Sequence, residues 1–169
     1  MDNQLFNFFH AFAGKSVFLD RLFIFGAEYL IYLLIAGTVI FLLLHRDYFL
    51  EKVVVIIGGA TLAWVASQGI NMLFPVARPF IEFLDIQPLF VHGGYDSFPS
   101  GHTTLAFALA TGVLFYKKWL GWIFMFGALF IGLSRVVAGV HWPLDILGGA
   151  LVGVLVMMAV HFLFKKVRK

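Results

Sequence analysis

The chain has no cysteine and few charged residues, and each shortage removes a class of structure. Without cysteine there can be no disulfide, no cysteine-ligated zinc and no thiol chemistry. Cysteine usage therefore gives no indication of whether the protein works in an oxidising or a reducing compartment. Only 12% of the 169 residues are charged and 62% are hydrophobic, whereas a soluble domain has about 25% and about 45–50%. A chain this apolar cannot cover itself with polar groups, so lipid must surround much of it.

Charged side chains do not gather into a nucleic-acid site or a metal site. The one basic run is the short tail at 165–169, so nucleic acid is not an expected partner. Glu82, Asp96 and Asp145 are scattered along the chain, so no carboxylate cluster for a metal is predicted. Residues 1–13 lack both a positive leader and a long apolar run, so they do not make a convincing signal peptide.

Five apolar stretches predict an all-α, polytopic membrane helix bundle, formed by residues 1–169 as a single domain. A spanning helix needs about 20 mostly apolar residues, and the third stretch is short, so we expect it to borrow residues from its flanks. Residues 1–13 are Phe-rich, with apolar side chains three to four apart, and predict a further helix lying in the membrane interface; the alternative is a frayed terminus. The predicted spans are 22–44, 53–74, 102–116, 119–137 and 143–164.

Lysine and arginine in the short loops predict the orientation of the bundle. Alternate loops carry Arg46 with Lys52, then Lys117 with Lys118, then the basic tail, and these should be cytoplasmic. The N-terminus, the polar segment 75–100 and the turn between the last two spans then lie on the extracytoplasmic side. We therefore expect a multi-pass protein of the bacterial inner (plasma) membrane with a cytoplasmic C-terminus.

Three clusters of polar residues lie where predicted helices reach the extracytoplasmic side. One follows the second span, one opens the third, and one crosses the turn between the fourth and fifth. The clusters are Arg78-Pro79, then Pro99-Ser100-Gly101-His102, and then Ser134-Arg135 with His141 and Asp145.

The residue types in these clusters match the needs of phosphate chemistry. Arg78 and Arg135 offer rigid charged forks that fit phosphate oxygens. The backbone N–H groups at the start of the third helix favour an anion, and two histidines can supply a nucleophile and a proton donor. Asp145 lies four residues after His141, so its carboxylate can bind one ring nitrogen and leave the other free to attack.

Each residue alone has a simpler explanation. A single arginine at a membrane end snorkels to head groups, as Arg78 or Arg135 would. His141 beside a tryptophan can be an interface residue, Asp145 can complement a helix dipole, and Ser100 can be a helix cap. Six polar residues at three helix ends on one predicted face instead favour a shared phosphate site.

The three clusters resemble the three-part signature of the type-2 phosphatidic acid phosphatase (lipid phosphate phosphatase) superfamily. The resemblance implies that His141 attacks phosphorus to form a phosphohistidine, that Asp145 orients His141, and that His102 protonates the leaving lipid oxygen. Water then hydrolyses the intermediate, and neither a metal nor another cofactor is required. The resemblance assigns the phosphoryl oxygens to Arg78, Arg135, Ser100 and the Gly101 amide.

Two residues stand outside this correspondence. The family has a lysine seven residues before the arginine, and here that place is Asn71, which can bind a phosphate oxygen but carries no charge. We expect Asn71→Lys to keep or raise activity. Glu28 lies about 12 Å inside the first span, at 1.5 Å per residue, so it is a candidate site residue. It is expected to face the cleft near a second phosphate, or else to pair with a polar group of a neighbouring helix.

The stretch 17–29 is also similar to the N-terminal part of the bacterial undecaprenyl-diphosphatase branch. The sequence therefore predicts a membrane phosphatase that converts a polyprenyl (undecaprenyl) diphosphate to the monophosphate, with membrane lipids as its other partners. Alternatives are a phosphatase for phosphatidylglycerophosphate, phosphatidate or lipid A phosphate, and a non-catalytic protein that binds lipid phosphates. A transporter is disfavoured because the polar groups gather at helix ends rather than mid-membrane, and a haloperoxidase because the chain has membrane helices.

The long segment 80–98 is expected to be a lid or a membrane-surface anchor.

Overall fold

The computed structural model describes residues 2–168, and these fold into seven helices with no β-strand among them. Four helices are long and apolar enough to cross a membrane, and a fifth is shorter. The predicted all-α membrane bundle is therefore confirmed. The helices are α1 (Asp2–His10), α2 (Val17–Leu44), α3 (Phe49–Leu73), α4 (Pro79–Glu82), α5 (Gly101–Tyr116), α6 (Lys118–Val137) and α7 (Pro143–Val167).

The short helix α5 lies at the centre of the bundle. Its 16 residues span roughly 24 Å, which is less than the hydrocarbon thickness of about 30 Å. The expectation that it lengthens into its flanks is wrong, since it runs only from Gly101 to Tyr116. Ten of its residues are buried, because α3, α6 and α7 pack around it. A helix enclosed by protein need not match the bilayer along its whole length.

Two glycines on α7 let it approach α5 at backbone distance. A β-carbon on Gly149 would lie 2.7 Å from the Ser100 carbonyl oxygen, and one on Gly153 would lie 3.0 Å from the Ala108 nitrogen. Small residues four apart on one helix face are the usual means of close helix packing in membranes. This packing fixes the start of α5 beside the start of α7, where the polar clusters lie.

Helix α2 begins at Val17, five residues earlier than predicted. The Ser16 hydroxyl accepts the Leu19 N–H at 3.2 Å and so caps the helix. Asp20 and Arg21 lie in this first turn and lower its hydropathy, which is why the apolar run appeared to begin at 22. The other predicted spans differ from the helices by at most four residues at either end.

The predicted N-terminal helix is present as α1, with one face packed on protein. Phe6 is buried, and its ring lies 5.0 Å from that of Trp142. His10 Nδ1 lies 2.9 Å from the Val137 carbonyl oxygen. The opposite face exposes Leu5 and Phe8, as an interfacial helix would. Helix α1 therefore braces the turn between α6 and α7.

The segment between α3 and α5 lies across the same end of the bundle. Phe80, Leu89 and Phe90 pack around the buried Ala138 and Val140. Backbone hydrogen bonds join Arg78 N–H to the Gly94 carbonyl at 3.2 Å and Leu89 N–H to the Ala138 carbonyl at 3.0 Å. The segment forms one wall of the site described next, and its roles as a lid or an anchor stay predictions.

Candidate active site

A polar cavity of about 230 Å³ opens at the end of the bundle where α3 ends and α5 and α7 begin. The three sequence clusters, which are far apart along the chain, all reach it. Six of the nine predicted site residues line it: Asn71, Arg78, Gly101, His102, Arg135 and His141. The wall also includes Trp64, Gln68, His92 and Asp96. Asp145, Ser100 and Glu28 do not line it.

His141 is held from behind by Asp145. The His141 Nδ1 atom lies 3.2 Å from Asp145 Oδ2, and both side chains are 2% exposed. The same carboxylate oxygen accepts the Trp142 N–H at 2.7 Å and the Ser97 hydroxyl at 2.5 Å. Three donors therefore fix the carboxylate, which assigns a proton to Nδ1 and leaves the Nε2 lone pair facing the cavity.

The chain direction explains why these two residues meet. Trp142 is extended, and Pro143 begins α7 in the first turn, where a missing N–H is harmless. Asp145 is then the third helical residue, so its side chain folds back onto the Trp142 N–H and caps the helix. The cap places the carboxylate directly behind the His141 ring.

Arg78 lies against the free side of His141. Its Nη1 donates to the Val140 carbonyl at 3.0 Å and lies 3.2 Å from His141 Nε2. Its Nε donates to Asp96 Oδ1 at 3.1 Å. The Trp142 indole N–H donates to the Ala77 carbonyl at 3.0 Å, which ties the two segments together. A guanidinium is therefore fixed next to the nitrogen that would attack phosphorus.

Asp96 stays ionised beside this arginine. Partial burial by itself raises its pKa, but the Gly94 N–H and the Arg78 guanidinium outweigh burial and bring the pKa below its ordinary value. The carboxylate is half exposed, at 57% of its side chain. It therefore orients Arg78 from the rim of the cavity without neutralising the buried end of the guanidinium.

Arg135 is a buried cation whose donors are only partly used. It is 1% exposed, and its Nη1 donates to the Ala27 carbonyl at 3.0 Å. Among the described residues, its Nε and Nη2 meet no hydrogen-bond partner. Ala27 lies in a wider π-helical turn of α2, Phe25–Tyr29, a feature often found at functional sites. Buried unpaired donors are unfavourable, and an anion in the cavity would satisfy them.

The electrostatics keep His141 uncharged. Burial, followed by the charges of Arg135 and Arg78, holds the pKa of His141 well below its ordinary value of 6.5. The ring is therefore neutral at physiological pH, which is the state that a nitrogen nucleophile requires.

His102 stands on the first turn of α5, at the edge of the cavity. Its ring meets that of His92 edge-on, with the centroids 5.7 Å apart. His92 comes from the segment before α5, and burial, then Arg135 and Arg78, lower its pKa. Two imidazoles thus lie side by side in the cavity that His141 also lines.

The structure places Ser100 behind the cavity wall rather than in it. Ser100 is fully buried, and its Oγ accepts the Thr103 hydroxyl at 3.1 Å. Although it is the residue before α5, its side chain makes no capping hydrogen bond to the described helix. Its own N–H donates to the Asp145 carbonyl at 3.0 Å. Ser100 joins α5 to α7, and its predicted contact with phosphate stays untested.

Asn71 lines the cavity but is partly engaged by protein. Its amide nitrogen lies 3.1 Å from the Ser67 carbonyl and 3.4 Å from the Pro99 carbonyl, while within residues 2–168 its Oδ1 has no partner. Glu28 lies in the π turn of α2, partly exposed, and forms no hydrogen bond or ion pair with any described residue. The expected effects of changing Asn71 and Glu28 stay predictions.

Five residues at the site were not singled out from the sequence: Trp64, Gln68, His92, Asp96 and Ser97. A signal existed for the first two, because Trp64, Gln68 and Asn71 are spaced four and three apart and so share one face of α3. Ser97 and Asp96 lie in irregular chain, where no periodicity marks their direction. Across the described residues, no cluster of three or more His, Cys, Asp or Glu could bind a metal ion.

Comparisons with known proteins agree on one family. The PAP2 superfamily model matches residues 49–169. The putative undecaprenyl-diphosphatase YbjG of Escherichia coli (strain K12) is 33% identical over 163 residues, covering 96% of this chain and 82% of that protein. The undecaprenyl-diphosphatase BcrC of Bacillus subtilis (strain 168) is 28% identical, with 92% and 80% covered.

A solved structure also matches closely. The crystal structure of Aquifex aeolicus LpxE superposes with a TM-score of 0.76 at 32% identity, covering 94% of this chain and 93% of that one. The family resemblance predicted from the three polar clusters is thus confirmed, and the chain belongs to the PAP2 superfamily.

Proposed function

We propose that this protein is a membrane lipid phosphatase that removes the terminal phosphate of a polyprenyl diphosphate, such as undecaprenyl diphosphate. The observation that carries the proposal is the geometry at His141, whose Nδ1 lies 3.2 Å from Asp145 Oδ2 while its Nε2 lies 3.2 Å from Arg78 Nη1, in a cavity that Arg135 also lines. The similarity to proteins described as undecaprenyl-diphosphatases supports the choice of lipid.

The first chemical step transfers the terminal phosphoryl group to His141. Nε2 attacks phosphorus and forms an N–P bond, while the bond from phosphorus to the bridging oxygen breaks and its electron pair stays on that oxygen. His102, protonated for this step, gives its proton to the leaving polyprenyl phosphate. Arg78 and Arg135 stabilise the charge on the equatorial oxygens. The Asp145 carboxylate stabilises the positive charge that His141 acquires.

The second step returns the enzyme to its starting state. Water attacks the phosphohistidine, and the now neutral His102 takes a proton from that water. The N–P bond breaks and its electron pair returns to Nε2. The products are polyprenyl monophosphate and inorganic phosphate, and both histidines recover their initial protonation.

An apolar groove beside the cavity supports a lipid substrate. The groove has a volume of about 180 Å³ and lies between α2, α3 and α5. It shares Trp64, Gly101 and His102 with the polar cavity. Its remaining lining is apolar or aromatic: Ile31, Tyr32, Ile35 and Leu105. A lipid with its phosphates in the cavity would therefore lay the start of its tail in this groove.

We further propose that the cavity opens on the extracytoplasmic side. Arg46, Lys117 and Lys118 lie at the opposite end of the bundle, together with the basic end of α7, and positive charge favours the cytoplasm. The absence of cysteine allows a direct test, since Tyr95→Cys introduces a single thiol at an exposed position near the site. In intact cells a membrane-impermeant maleimide should label this variant and should not label Lys118→Cys; the reverse pattern contradicts the orientation.

Phosphate release from the purified protein tests the function. The substrates are undecaprenyl diphosphate, phosphatidate, phosphatidylglycerophosphate, lipid A and a short soluble phosphate ester, with vanadate as a phosphate-mimicking inhibitor. We expect the diphosphate to have the highest kcat/KM, vanadate to inhibit, and His141→Ala to abolish release. Rapid turnover of the soluble ester with none of any lipid would overturn the substrate class.

A phosphoenzyme trap tests the chemistry separately. A substrate labelled in its terminal phosphate should label the protein, and the label should be lost in acid and kept in base, as a phosphohistidine requires. His141→Ala should take up no label. Label that survives acid would point to a different nucleophile.

A further inference from the structure

The α3 wall of the cavity is uncharged, and the mechanism above leaves it without a role. Trp64, Gln68 and Asn71 present their side chains to the cavity from one face of α3. The Gln68 Oε1 receives a long contact of 3.4 Å from the Asn71 amide. In the part of the chain that the structure describes, neither the Gln68 NH2 nor the Trp64 indole N–H donates to a protein acceptor. These two groups are donors available to a ligand.

The Trp64 indole N–H and the oxygen of the Gln68 amide lie beside the first backbone unit of α5. A β-carbon added to Gly101 would lie 3.7 Å from Trp64 Nε1 and 3.8 Å from Gln68 Oε1. The backbone N–H groups at the start of this 16-residue helix are not bonded within the helix and favour an anion. The Trp64 indole N–H and the Gln68 amide group thus lie across a narrow gap from the backbone donors, next to His102.

The position of this gap follows from the order of groups along the cavity. His141 and Arg78 mark the end where phosphorus is attacked. Trp64, Gly101 and His102 are the residues that the polar cavity shares with the apolar groove. In a lipid diphosphate, the leaving phosphate lies between the attacked phosphorus and the tail. A substrate placed with its tail in the groove therefore has its leaving phosphate beside Trp64 and Gln68.

We propose that Trp64 and Gln68 bind the leaving phosphate and so give the enzyme its preference for a lipid diphosphate over a lipid monophosphate. This inference rests on the proposed function. Neutral N–H donors suit a group that must depart, because they stabilise the developing charge on the bridging oxygen without the attraction of a full positive charge. A lipid monophosphate has no leaving phosphate beside Trp64 and Gln68, so these two side chains do not stabilise its transition state.

The experiment compares two substrates that share one tail, farnesyl diphosphate and farnesyl monophosphate. Gln68→Leu removes the amide at similar size, and Trp64→Phe removes the indole N–H while keeping an aromatic ring. For each variant, we expect the ratio of kcat/KM for the diphosphate to that for the monophosphate to fall by about 10- to 150-fold, the fold-change that corresponds to losing a hydrogen bond to a charged group. Gln87→Leu and Trp122→Phe are matched controls at exposed positions outside the cavity, and their ratios should not change.

Further measurements keep the inference open to refutation. If Gln68→Leu fails to fold, Gln68→Glu keeps the shape and adds a repelling charge, and it should lower the ratio at least tenfold below that of the parent enzyme. Where turnover of the monophosphate is too slow to measure, inhibition constants of a methylene diphosphonate and a monophosphonate with the same tail replace it. An equal loss on both substrates, or no loss, overturns the inference. If the parent enzyme hydrolyses the monophosphate but not the diphosphate, the proposed substrate itself is wrong.

Discussion

Ser97→Ala tests the idea that the geometry behind His141 sets the rate. The Ser97 hydroxyl donates to Asp145 Oδ2 at 2.5 Å, and Ser97 is fully buried. A hydrogen bond to a charged group contributes about 1.5–3 kcal/mol, and each 1.4 kcal/mol of barrier is about a tenfold change in rate. Because Asp145 must stabilise the charge that His141 acquires, we expect kcat to fall about 10- to 150-fold. KM should change little, since Ser97 does not line the cavity.

The assay is steady-state phosphate release from a lipid diphosphate, with the thermal unfolding temperature measured in the same detergent. Ser16→Ala is the matched control, because it also removes a serine hydroxyl bond, the cap of α2, which lies away from the cavity. It should lower stability by about 1 kcal/mol and leave kcat unchanged. In an Asp145→Asn background, Ser97→Ala should add little, because the bond would then act on a carboxylate that is no longer present. A folded Ser97→Ala enzyme with kcat within twofold of the parent would refute the reasoning.

Three further predictions follow from the same geometry. Asp145→Asn keeps the shape of the side chain but removes its charge and disturbs the tautomer of His141. Phosphate release should therefore fall by about 10⁴-fold, as when the carboxylate of another catalytic triad is changed to an amide. A fall of less than tenfold would contradict the orienting role of Asp145. Because burial and two guanidiniums hold the pKa of His141 well below 6.5, a pH profile of kcat/KM should have no acidic limb at pH 6.5 or above, and finding one would mean that the ring is protonated there. Gly153→Ala places a methyl group against the Thr104 carbonyl and the Ala108 nitrogen, so the free energy of unfolding should fall by about 1–3 kcal/mol. Gly69→Ala is its control and should not destabilise, because an added β-carbon there would meet no described atom within 4 Å beyond its chain neighbours and the backbone of its own helix.

The sequence was sufficient to predict the architecture and to bring most of the candidate site residues to one cavity. Apolar runs locate membrane helices because the bilayer requires about 20 apolar residues whatever the rest of the fold does. His141 and Asp145 lie four residues apart at the start of one helix, so their contact is local and could be predicted. Loop charges likewise predicted that the residues at the helix ends share one side of the bundle, and most of them line one cavity.

Contacts between distant segments could not be predicted in this way. Ser97 contacts Asp145 and Asp96 contacts Arg78 across separations of 48 and 18 residues, and no periodic pattern marks the direction of Ser97 or Asp96 in irregular chain. The family resemblance assigns Ser100 to the phosphoryl oxygens; in the structure its hydroxyl accepts the Thr103 hydroxyl where α5 packs on α7, a contact that the sequence did not predict. The length of α5 was also misjudged, since only the packed bundle shows that protein rather than lipid surrounds it.

The sequence by itself determined that this is a helical membrane protein with two arginines, two histidines and an aspartate at the helix ends of one face. Tertiary structure alone decided which atoms of those residues meet, that Arg135 is buried with unused donors, and that the uncharged face of α3 closes the cavity next to an apolar groove. The physical reason is that hydropathy and spacing act along one chain segment, whereas a cavity is made by side chains from several helices whose relative rotation is fixed only when the bundle packs.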